Sequence, residues 1–143
     1  TLNKGINMYH KLLLATLGFL LTCNLALAET TNFKALENNV YDVQQLTKMG
    51  ADYDAFSRHV TELGLAVGRY ERELNGKDPV AYEALIKEAA DQYLKALENW
   101  RRSFKTNSDE SARELISRVS ITLRDAQIKS AASKISEAEA LKK

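Results

Sequence analysis

From Tyr53 to Leu74 the chain carries an apolar stripe that only a helix can use. Tyr53, Phe56, Val60, Leu63, Val67, Tyr70 and Leu74 alternate spacings of three and four residues without a miss. That period keeps one side of a helix apolar along its whole length, so the helix must lie lengthwise on others. A second stripe follows at Tyr82, Ile86, Ala89, Tyr93, Ala96 and Trp100. Between them stands Asn75-Gly76-Lys77-Asp78-Pro79. Gly76 is placed to end one helix in a left-handed turn, and Asp78-Pro79 to cap and open the next.

The flanks extend this pattern. Phe33, Leu36, Val40 and Val43 mark an earlier helix that reaches Gly50, and Asp52 offers an N-cap for its successor. A break at Gly50 gives four helices, and a continuous helix there gives three; the break is preferred. After the polar link around residues 105–108, a last helix starts at Asp109 and runs towards Lys142. Ala112, Leu115, Ile116, Val119, Leu123 and Ala126 form its apolar side, and the stripe thins beyond Ala126. That end is expected to be less tightly held. Val60, Leu63, Val67, Ile86, Val119 and Leu123 are expected to share one core. Acids open the last two helices and bases close them, complementing the helix dipoles. Pairs such as Glu98/Arg102, Glu114/Arg118 and Asp125/Lys129 mark solvated faces. Short links require antiparallel neighbours, so the expected fold is an all-α, antiparallel up-down helical bundle.

Ahead of this domain, Met8 is followed by a short basic start, then a largely apolar run from Leu12 to Leu27 ending in Ala26-Leu27-Ala28. That order describes a secretory signal peptide cleaved after Ala28. The run is short for a spanning helix. The organisation expected is therefore residues 1–28 as upstream residues and leader, and 29–143 as a single helical domain, periplasmic or secreted. Cleavage removes Lys4, Lys11 and the sole cysteine, taking the formal charge from +1 to one negative unit. Without a disulfide, the core alone must hold the fold. Without a concentrated positive field, nucleic acid is not an expected partner.

No catalytic signature appears. His59, the one histidine after the leader, has no Glu-x-x-His counterpart on a second helix, and no phosphate loop or nucleophile elbow is present. No metal, haem or other cofactor is expected, and an enzyme is not the reading. Arg101, Arg102 and Lys105 beside Trp100 and Phe104 read as a helix C-terminus rather than a polyanion patch. Two features remain as candidate sites. Tyr70, Tyr82, Tyr93 and Trp100 are candidates to line a ligand cavity in the bundle interior. Ser57, Thr61, Gly64 and Gly68 form a candidate groove, since two glycines four apart in a helix permit close approach of another helix. The groove is expected to be filled by a helix of the same chain, with a partner subunit as the alternative.

Two functions follow. The preferred one is an exported bundle acting by protein–protein contact, as an adaptor, accessory or chaperone-like module, with self-association allowed. The other is a binding protein for a small apolar or aromatic ligand. A ligand binder should show a tyrosine-lined cavity, and an interaction module a filled core with an exposed apolar patch. Contact with a membrane is expected only through the leader.

Overall fold

The structure is a computed structural model that describes residues 31–104 and 109–143; residues 1–30, with the expected leader among them, and the link at 105–108 lie outside the described residues. It is an all-α four-helix bundle. Helix α1 covers 31–49, α2 Tyr53–Leu74, α3 Ala81–Ser103 and α4 Glu110–Ala140. The break between α1 and α2 is real: Gly50 adopts φ +75°, and the Asp52 carboxylate accepts a hydrogen bond from the Ala55 N–H at 2.9 Å. At the far end of α2 the left-handed turn takes two residues, Asn75 at φ 47° and Gly76 at φ 80°. Helix α3 starts two residues later than Asp78-Pro79 suggests. Its N-cap is Val80, which makes no side-chain cap bond.

Both central stripes face inward as their period requires. Phe56, Val60, Leu63, Val67 and Tyr70 of α2 meet Ile86, Ala89, Tyr93 and Ala96 of α3. Leu36, Val40 and Val43 of α1 and Ala131, Ile135 and Ala138 of α4 complete the same cluster. Large residues on α1 and α2 thus oppose mostly small ones on α3 and α4, which lets the helices approach.

Contacts at the two ends fix the up-down-up-down order. At one, the Phe33 ring packs on Tyr70 and Tyr82, and Lys142 reaches Glu37. At the other, Tyr53 and Phe56 pack on Trp100, and Arg124 lies over the same indole. The pairings Arg124 with Trp100, Lys134 with Glu88 and Lys142 with Tyr82 set one register between α3 and α4. In that register roughly the first three turns of α4, about 16 Å of helix, stand beyond the last residue of α3.

This overturns the expectation for α4. Val119 and Leu123, assigned to the core, are 49% and 44% exposed, and Leu115 is 64% exposed. The side that packs is instead Ser120, Ile128, Ala131, Ile135 and Ala138. The end expected to be loose is the buried one. At 100° per residue, the Leu115–Val119–Leu123 ridge points more than a quarter turn away from that packed side.

Candidate functional site

Tyr93 is fully buried in the core, where burial pushes its phenol up to about 12 and Thr47 draws it back. Its hydroxyl makes no hydrogen bond of acceptable geometry. Tyr70 and Tyr82 belong to the opposite end of the bundle from Trp100. The Tyr70 hydroxyl donates to Glu83 at 2.6 Å, and that of Tyr82 donates to Glu37. Burial and these carboxylates raise both phenols. The four aromatic candidates therefore do not converge on one interior cavity, and the core combines aliphatic side chains with the Phe56, Tyr70 and Tyr93 rings.

Glu37 is the centre of a polar cluster that the sequence reading passed over. It sits on the apolar side of α1, four residues after Phe33 and three before Val40, and is buried. Its carboxylate accepts hydrogen bonds from Lys34, Tyr82 and, at 2.8 Å, Lys142. Burial opposes its charge, but the hydrogen bonds from Lys142, Lys34 and Tyr82 outweigh it and hold the carboxyl down to about 2. Lys142 also lies 4.3 Å from the centre of the Tyr82 ring. The cluster joins the first and last helices. The signal available in the sequence was an acid inside an apolar stripe.

Beside it, Tyr70, Glu73, Leu74, Lys77 and Glu83 border a small concavity of about 230 Å³ at the α2–α3 turn. The Glu73 carboxylate oxygens are buried there without a hydrogen-bond partner. No group of three or more His, Cys, Asp or Glu suited to a metal ion occurs among the described residues. None of the described helices is long and apolar enough to cross a membrane.

The groove candidates divide. At Gly64 a Cβ would lie 3.3 Å from Leu94 Cδ2, so α3 does press on this position. At Gly68 a Cβ would meet nothing within 4 Å. Thr61 is exposed and donates its hydroxyl to the Ser57 carbonyl at 2.7 Å. At neither glycine does α4 come within 4 Å of the Cβ position, and Val119 and Leu123 of α4 are exposed.

Two surfaces of α4 stand out instead. Its outer ridge exposes Leu115, Ile116 and Val119 on the part that projects past α3 and Leu123 one turn further on, and Phe104 is exposed at the end of α3. Where α4 meets the α1–α2 corner lies the larger pocket, about 560 Å³. Gly50 and Ala51 of the corner, Phe56 of α2, Trp100 of α3 and Ile128 and Ala132 of α4 form its apolar wall. Lys48, Arg124, Asp125 and Lys129 edge it, with Arg124 tied to Asp125 at 2.6 Å and stacked on Trp100 at 4.5 Å. Of the basic residues after Trp100, Arg102 pairs with Glu98, Arg101 is exposed, and Lys105 falls outside the described residues.

Comparison with protein-family models, with curated proteins and with solved structures finds no match to this chain.

Proposed function

We propose that this protein is a small exported helical bundle that acts by protein–protein contact, as an adaptor, accessory or chaperone-like module of the bacterial envelope or its surroundings. The observation that carries the reading is the outer ridge of α4. Four aliphatic side chains, Leu115, Ile116, Val119 and Leu123, lie within one third of the helix circumference, exposed, the first three of them on the turns that stand beyond α3. Contiguous exposed apolar stripes are rare on soluble proteins and mark contact surfaces, because each half-exposed aliphatic forfeits about 1 kcal/mol of burial. A stripe of this width fits an amphipathic helix of a partner, read at positions i, i+4 and i+8. The filled interior and the dispersed tyrosines count against a ligand held inside the bundle.

A photo-crosslinking residue placed at Val119 in the native host tests the reading. The expected result is one dominant crosslinked species, lost when Leu115 and Leu123 are both changed to Ser. The same probe at exposed Leu65 on α2 should give none. Equal crosslinking at both positions would reject α4 as the contact surface. Export rests on the Ala26-Leu27-Ala28 ending, and the intact mass of protein recovered from the envelope or medium tests it. A mass that retains residues 8–28 counts against cleavage after Ala28.

A further inference from the structure

The pocket between the α1–α2 corner, α3 and the middle of α4 is independent of the α4 ridge and has the make-up of a binding site. All four helices or their links contribute to it, and its volume of about 560 Å³ lies in the range of small-molecule sites. Its wall is apolar: the Phe56 ring, the Trp100 indole and Ile128 line it, with Ala51 and Ala132 too small to fill it. Gly50 leaves the corner open, since a Cβ there would meet nothing within 4 Å.

The charge at the edge is unbalanced. Arg124 is satisfied by Asp125 and by the indole face, so it serves as wall. Lys48, from the last turn of α1, and Lys129, from α4, also edge the pocket, and neither ion-pairs with any described residue. The sequence pairs Asp125 with Lys129 at helical spacing, but in the fold Asp125 turns to Arg124, and Lys129 makes no ion pair among the described residues. Two ammonium groups with no ion pair among the described residues, over an aromatic and aliphatic floor, select for a ligand with one negative head and an apolar body.

We propose that this pocket binds a small apolar carboxylate, its body against Trp100, Phe56 and Ile128 and its carboxylate between Lys48 and Lys129. Both lysines are solvated, so each gives a modest attraction, while burial of the apolar body supplies most of the affinity. A neutral ligand of the same shape therefore binds, but more weakly. A compact anion without an apolar body does not.

Trp100 is the only tryptophan, so its emission reports the pocket directly. The protein as its host processes it is titrated with decanoate, with decanol and with acetate. Decanoate should change the Trp100 emission saturably, decanol should do so about tenfold more weakly, and acetate should not. Changing Lys48 and Lys129 together to Glu should bring decanoate to or below the affinity of decanol without altering helix content. The Val119→Ser variant should titrate as the unaltered protein does, which separates this pocket from the α4 ridge. Equal affinity for decanoate and decanol, an unchanged decanoate titration in the double variant, or no saturable emission change would each overturn the proposal.

Discussion

Glu37 puts a charge into a helix side that is otherwise Phe33, Leu36 and Val40, and the fold answers with Lys34, Tyr82 and Lys142. Its carboxyl titrates near 4.5 when unperturbed and near 2 in the fold. Below pH 4.5 the unfolded chain takes up this proton first, so stability falls as pH falls from about 4.5 to about 2. Urea unfolding between pH 6 and 2 should show this loss in the unaltered protein and a flatter profile in Glu37→Gln. Parallel profiles would mean that Glu37 is not held as the ionised form. Gly68 makes the opposite kind of point. Its Cβ position is open and its backbone helical, so Gly68→Ala should raise stability by up to about 1 kcal/mol. A fall in the urea midpoint would show that another chain presses on this position.

At the scale of an element, α4 carries two different sides. One is rich in small residues and is buried: Ser120, Ala131, Ile135 and Ala138. The other is more apolar and is exposed: Leu115, Val119 and Leu123. Apolar content alone does not choose the buried side, because burial needs a neighbour at the same height. Leu63 on α2 and Leu115 on α4 thus have equal chemistry and opposite expected outcomes. Leu63→Ala should cost roughly 2–5 kcal/mol in chemical denaturation, while Leu115→Ala should stay within about 0.5 kcal/mol. A comparable loss at both positions would place α4 in a different orientation from the one described.

Across the whole molecule, the Glu37–Lys142 contact ties helices whose contacting residues are 105 positions apart. It anchors the end of α4 against α1 and the start of α3, and the 31-residue α4 then overhangs the 23-residue α3 at the other end. Replacing Lys142 with Met keeps its apolar stem on Tyr82 and removes the charge. The expected effect is a Tm lower by about 4 °C and a Glu37 carboxyl that titrates closer to the usual carboxylate range, read by NMR. An unaltered Glu37 titration would show that Lys34 and Tyr82 suffice. Because the clamp and the α4 ridge lie at opposite ends, the substitution should leave crosslinking at Val119 intact.

Local pattern was enough for what is local. The three-four spacing placed α2 from Tyr53 to Leu74, Asp52 and Asp109 marked two helix starts, and Gly50 and Gly76 marked turns, because caps and left-handed turns depend on residues within a few positions. The short α2–α3 link likewise fixed antiparallel order. Register was different. The apolar stripe alone put Val119 and Leu123 in one core with Leu63 and Ile86, whereas the tertiary structure sets the height of α4 from its other end, through Lys134 with Glu88 and Lys142 with Glu37. A stripe states which side of a helix is apolar and says nothing of what stands opposite it. Which residues meet at Glu37, and which lysines edge the Trp100 pocket, follows from that register, which forms only when segments about a hundred residues apart pack together.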